Sequence, residues 1–203
     1  MIQYLTFGIT YAIAAVVQPG PFQMFLLSQT LSKGWQRTLP AAFGPLISDI
    51  PVMIIVLFLL TRVPPVFLSV LQLAGGIFIL YLAFNTYKTW KNFHSIKPSE
   101  VHSGQQTLLN AVIVNILNPN PYIGWSLVLG PLFLKGWHNN PADGIILLIG
   151  FYVTLITGMI ATILLFASAG KFGTRINKIL IGISVITLSC FGIYEIWSGL
   201  AGL

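Results

Sequence analysis

Gln18-Pro19-Gly20-Pro21-Phe22 and Asn118-Pro119-Asn120-Pro121-Tyr122 lie 100 residues apart, each inside a long apolar stretch. A proline removes a backbone donor and obstructs the helix behind it, leaving carbonyls and amides without intrahelical partners. Lipid cannot satisfy such groups, so at membrane depth they must face protein, water or a solute. Paired proline breaks at corresponding places in two halves of a chain point to a transporter's binding site.

Composition agrees with that setting. Of 203 residues, 56% are hydrophobic and 7% charged, and the mean hydropathy is +0.86. Soluble domains carry roughly 25% charged residues, so the chain reads as a single transmembrane domain over 1–203. Ten Lys and Arg against four Asp and Glu leave a formal charge of +6. These basic residues sit in short loops between apolar segments, where membrane topology accounts for them and a nucleic-acid partner is not needed. Cys190 is the single cysteine, which excludes an intrachain disulfide or a thiol-exchange pair. No basic residue precedes the first apolar run, Met1 to Val17, which speaks against a cleaved signal peptide.

About 20 apolar residues cross a bilayer, and six stretches qualify, at about 3–32, 38–60, 66–87, 107–134, 143–168 and 179–199. The first and fourth are overlong, as a broken or tilted helix would be. Further matches between the halves occur in the same order. Lys33-Gly34-Trp35 pairs with Lys135-Gly136-Trp137, and Leu73, Gly75, Tyr87 and Trp90 pair with Leu180, Gly182, Tyr194 and Trp197. The expected fold is all-α: six transmembrane helices in two three-helix halves, 1–90 and 107–203, joined by a polar linker at 91–106. Three spans per half is an odd number, which inverts the second half relative to the first.

With the N-terminus outside, the inner loops hold eight basic residues: Lys33, Arg37, Lys88, Lys91, Lys97, Lys171, Arg175 and Lys178. The outer loops hold two, Arg62 and Lys135. That bias predicts both termini outside and the linker inside. His94 and His102 then read as solvated linker residues, and the Lys-Gly-Trp triplets as helix stops with interface anchors.

Proline is favoured at the first position of a helix, so Pro21 and Pro121 are expected to open second half-helices. The amides of Phe22 to Met24 and of Tyr122 to Gly124 would then suit a carboxylate. The carbonyls of Ala15 to Val17 and of Val114 to Leu117 would suit an ammonium. Gln18, Pro19, Gly20 and Pro21, with Asn118, Pro119, Asn120 and Pro121, form the candidate substrate site. Gly20 is expected to be needed for close backbone approach. A single such proline would read as a packing kink; the duplication favours a site.

Asp49 is the only acidic residue deep in a span, flanked by Pro45 and Pro51. A carboxylate there is costly unless paired, hydrated or protonated. This makes Asp49 the candidate proton carrier, against the plainer reading of a structural hydrogen bond. Gln18, Asn115 and Asn118 suit either freed backbone or substrate. Gly150, Thr154, Gly158 and Thr162 recur every fourth residue, a stripe for close helix packing.

These motifs resemble the lysine-exporter (LysE/RhtB) family, bacterial exporters of amino acids and related metabolites. The likeness is carried by Gln18-Pro19-Gly20-Pro21, by Asn118-Pro119-Asn120-Pro121, and by Gly44 followed by Ser48-Asp49. Size and the six apolar segments agree along the whole chain. Two departures stand out: Ser48, where a second glycine is usual, and the extra proline Pro121. The resemblance implies a secondary transporter that exports amino acids or related small zwitterions across the cytoplasmic membrane by proton antiport, with no cofactor or metal. The partners it implies are a small-molecule substrate and the lipid bilayer; a homo-oligomer is left open. A divalent-metal or cation exporter of the same architecture is the alternative, although Asp49 alone makes a poor metal cage. An enzyme is not expected, since no convergent catalytic groups stand out in the spans.

Overall fold

The computed structural model describes residues 1–18, 20–58, 65–91, 104–170 and 173–203, and no strand occurs among them. Helices α1 (Ile2–Val17) and α2 (Pro21–Lys33) meet at a 64° bend around the first break. A short α3 (Trp35–Thr38) and a 3-10 stretch (Leu39–Phe43) lead into α4 (Gly44–Phe58), and α5 (Pro65–Lys91) ends the first half. The second break divides α6 (Gly104–Ile116), α7 (Pro119–Gly124), a π-helical turn (Trp125–Leu129) and α8 (Gly130–Asn139). Two long helices complete the chain, α9 (Pro141–Gly170) and α10 (Thr174–Ala201).

Among the described residues, four segments are long and apolar enough to cross a membrane: Trp35–Leu57, Ser69–Lys91, Pro141–Ala169 and Arg175–Ala201. The bent α1–α2 pair makes a fifth. The expected fourth span is not one helix. Asn118 turns out of α6 into extended backbone, Pro119 and Pro121 have no amides to donate, and the π turn separates α7 from α8. Ile77, Ile149, Leu165, Ile186 and Trp197 are each more than half exposed. Soluble proteins rarely expose so much apolar surface, and lipid covers it without cost. The chain is a multi-pass membrane protein.

Apolar burial does not drive helix association in lipid, so close backbone packing carries more of that task. Glycines supply it here. A Cβ on Gly150 would lie 3.0 Å from Leu5, and one on Gly158 only 2.6 Å from Val16, so α1 and α9 run parallel along the small-residue stripe. An ion pair of 2.9 Å between the Met1 ammonium and Asp143 joins the starts of the same two helices. Helices α4 and α6 also run parallel: a Cβ on Gly44 would lie 2.8 Å from that of Ala111, and Ser48 meets Asn115 one turn on. Helices α5 and α10 run antiparallel, with Gly76 against Gly192, Ser69 against Gly199, and Trp90 against Gly182.

The two Lys-Gly-Trp triplets differ. Gly34 ends α2 in a positive-φ conformation (φ 86°) that glycine adopts without strain. Lys135-Gly136-Trp137 is not a stop, because α8 runs through it to Asn139. Gly136 is buried where a Cβ would lie 3.0 Å from Tyr4 and 3.2 Å from Gly144, so that glycine serves packing.

Six described basic residues, Lys33, Arg37, Lys88, Lys91, Arg175 and Lys178, share one end of the molecule. Helix α2 runs alongside α5, joined by the Ser28–Thr86 hydroxyl pair at 2.9 Å, and α10 begins where α5 ends. Lys135 lies instead beside the starts of α1 and α9. Arg62, Lys97, Lys171, His94, His102 and the linker from 92 to 103 lie outside the described residues.

Candidate functional site

The two breaks line one cavity of about 130 Å³. Gln18, Gly20 and Pro21 reach it from the first, and Asn118, Asn120 and Pro121 from the second, with Asp49 and Asn115 between. Pro19 lies outside the described residues, and Pro119 is buried beside the cavity without lining it. A water takes roughly 30 Å³ of liquid, so the space suits a few waters or one small metabolite.

At the first break, α2 opens at Pro21 as expected, behind an extended Gly20 (φ −172°, ψ 178°) with no side-chain cap. Intrahelical bonding begins with Met24, whose amide donates to the Gly20 carbonyl at 3.2 Å. The amides of Phe22 and Gln23 therefore remain at the helix end, while Met24 drops out of the expected trio. Two of the three expected carbonyls behind the break are already engaged. Gln23 Nε2 donates to the carbonyls of Val16 and Ala15, at 3.2 and 3.4 Å. The backbone itself does not demand glycine at position 20: its φ is open to any residue, and a Cβ would meet only Gln23 Oε1, at 3.6 Å, so any need for glycine there lies on the cavity side.

The second break is built differently. The helix restarts at Pro119, not Pro121, and the Asn118 side chain caps it by accepting from the Asn120 amide at 3.0 Å. Pro119 and Pro121 have no amide, and Tyr122 to Gly124 fall inside α7, so no amide cluster is left for a carboxylate. Behind the break, the Leu117 carbonyl faces α5, where a Cβ on Gly75 would come within 2.5 Å of it.

Asp49 is 4% exposed. Its Oδ1 accepts from Asn115 Nδ2 at 2.9 Å and its Oδ2 from the Tyr152 hydroxyl at 3.3 Å. The second Asn115 hydrogen goes to Ser48 Oγ at 2.6 Å. Ser48 in turn directs its own hydrogen toward the carbonyls of Gly44 and Pro45, at 3.0 and 3.1 Å. Among the described lining residues there is no Lys, Arg or His, so neutral donors alone oppose the carboxylate. Trp125 is 1% exposed and lines the same cavity. Its indole N–H lies close to Asp49 and Tyr152, yet makes no hydrogen bond there. Tyr11 and Phe151, 5.9 Å apart between ring centres, close the cavity on the α1–α9 side, and Leu129, Leu155 and Met159 add apolar wall.

Tyr11, Gln23, Trp125 and Tyr152 are cavity or carboxylate contacts that sequence reasoning missed. Two of them carried a signal. Tryptophan favours membrane interfaces, so Trp125 deep in a span is out of place. Gln23 is a polar residue two positions past Pro21 in an apolar run. Tyr11 and Tyr152 had none, since nothing local in the sequence says which face of a long apolar helix turns inward.

A family model described as LysE type translocator matches residues 13–198, which include every cavity residue but Tyr11. Neither a curated protein nor a solved structure matches the chain.

Proposed function

We propose that this chain, which belongs to the LysE type translocator family and is thus an efflux transporter, exports amino acids or related small zwitterions across the cytoplasmic membrane by proton antiport. The observation that carries this reading is the Asp49 carboxylate, buried without a cationic partner in the cavity that both breaks line. A charge so placed costs several kcal/mol until a proton or a cation joins it. A substrate ammonium meets Asp49, and a substrate carboxylate meets the amides of Phe22 and Gln23. Gln18, Asn118 and Asn120 orient the substrate from the two breaks. In the cycle, Asp49 releases its proton inward as substrate binds and takes up another from outside as substrate leaves.

Alternating access through a midplane site is the habit of inverted-repeat carriers, and the helix pairing supports six crossings in that arrangement. A two-fold axis exchanging the halves maps the first span onto the fourth and the second onto the fifth. It thereby exchanges the parallel pair α1–α9 with the parallel pair α4–α6. It maps the antiparallel pair α5–α10 onto itself. The charge count favours the six-cation end inside and both termini outside. For the cation-exporter alternative, a ligand cluster would be needed, and among the described residues no group of three His, Cys, Asp or Glu gathers.

Asp49→Asn keeps size and hydrogen-bonding capacity but cannot titrate. In proteoliposomes, normalised to inserted protein, the variant is expected to lose pH-gradient-driven uphill efflux while retaining exchange down a substrate gradient. If it still concentrates substrate against a gradient as the unaltered protein does, Asp49 is not the proton carrier.

A further inference from the structure

A second recess lies far from the central cavity, on the outer face where α5 ends and α10 begins. It is an open groove of about 700 Å³ lined by Trp90, Arg175, Lys178, Ile179, Ile183 and Ile186, with Gly182 in its floor. Its two halves differ in chemistry. At the helix ends stand two cations, Arg175 and Lys178, three residues apart and so on one face of α10. The only ion pair among the described residues is Met1 with Asp143, so neither cation has an acidic partner there. Lys178 Nζ instead rests over the Trp90 ring, 5.5 Å from its centre.

Below the cations the groove continues down α10 as exposed Ile179, Ile183 and Ile186, at 54%, 47% and 66% exposure. Those positions follow the helical repeat and form one apolar strip along a membrane-spanning helix. Gly182 keeps the groove open. Its Cα faces the Trp90 indole, and a Cβ there would lie 3.0 Å from Trp90 Nε1. An anion at the head and a hydrocarbon chain below it match this layout, and a free phosphate would use only the head.

We propose that this groove is a binding site for an anionic phospholipid, with its phosphate between Arg175 and Lys178 and an acyl chain along Ile179, Ile183 and Ile186. Basic pockets at helix ends hold acidic headgroups in this way, at a gain of about fivefold in affinity per cation. Trp90 forms the wall between headgroup and chain, a level where indoles reside. The site is independent of the transported substrate and of Asp49.

The test is native mass spectrometry of the full, detergent-purified chain titrated with phosphatidylglycerol, with phosphatidylcholine in parallel. Phosphatidylglycerol is expected to bind about 25-fold more tightly, about fivefold for each of the two cations. The double variant Arg175→Gln, Lys178→Gln should bring it down about 25-fold, toward the phosphatidylcholine level. Lys178→Gln alone, a milder change at the surface, should cost about fivefold. Lys135→Gln, at the other end, should change nothing. Equal binding of the two lipids overturns the proposal, as does unchanged phosphatidylglycerol binding in the Lys178→Gln variant. Displacement of the lipid by millimolar inorganic phosphate would also overturn it, by showing a simple anion site.

Discussion

The breaks at Pro21 and at Pro119 arise from similar sequence and use their polar groups in opposite ways. At the first, the backbone is open and extended, its helix end uncapped, and a side chain from the far side, Gln23, reaches back to the freed carbonyls. At the second, Asn118 caps its own helix, and a neighbouring helix presses onto the last carbonyl through Gly75. The first break leaves amides at an uncapped helix end and engages the Ala15 and Val16 carbonyls. The second is satisfied locally and presents side chains. A duplicated motif therefore does not imply a duplicated site; the two copies have divided the work.

Four substitutions would break or sharpen that contrast. Gly75→Val should have the largest effect on folding, since its Cβ meets a backbone carbonyl that cannot move aside. Overpacking of this kind costs about 1–3 kcal/mol, and size-exclusion of the detergent extract should show a marked loss of monodisperse protein. A normal profile would mean that α5 does not hold the second break. Gln23→Leu leaves the Ala15 and Val16 carbonyls without partners, at about 1–3 kcal/mol. Because both bonds are long, the low end is expected for each carbonyl, about 2 kcal/mol together, read as a lower melting temperature; no change would show that water replaces the amide. Asn118→Ala removes a cap, worth about 1 kcal/mol, and should shift melting less than Gln23→Leu does. Should it shift melting more, the second break is the weaker of the two. Gly20→Ala should stay within about 0.5 kcal/mol, yet slow efflux of bulkier substrates more than that of small ones, because its methyl group adds to the cavity wall. Uniform loss across substrates would point to backbone strain that the extended φ does not indicate.

The contrast also marks the reach of sequence reasoning. The location of both breaks, the carboxylate between them and the small-residue stripe were readable, because proline chemistry, buried charge and four-residue spacing each act locally. The restart at Pro119 was not. Pro119 and Pro121 are equally suited to a first helical position, and what decides between them is the Asn118 side chain bonding to Asn120. Gly136 misled for a related reason: glycine ends helices and also admits close neighbours, and only the approach of Tyr4 and Gly144 separates the two uses. The inward turn of Tyr152 depends on how α9 lies against α1, which is a property of the packed pair.

The π turn at Trp125–Leu129 carries a consequence for length and register. Its backbone bond runs from the Gly130 amide to the Trp125 carbonyl, one residue longer than an α-helical step. That loop is slack stored inside the spanning segment, between the cavity and α8. Each residue of an α-helix turns through about 100°, so tightening this loop by one residue would swing α8, with Lys135 and Trp137, by about that angle. The chain neither lengthens nor breaks in doing so. Gly130 lets the slack exist, because a Cβ there would overlap the Trp125 carbonyl. A side chain at position 130 would press on that carbonyl and disfavour the wide turn, and with it the angle it now sets between the two ends of the segment.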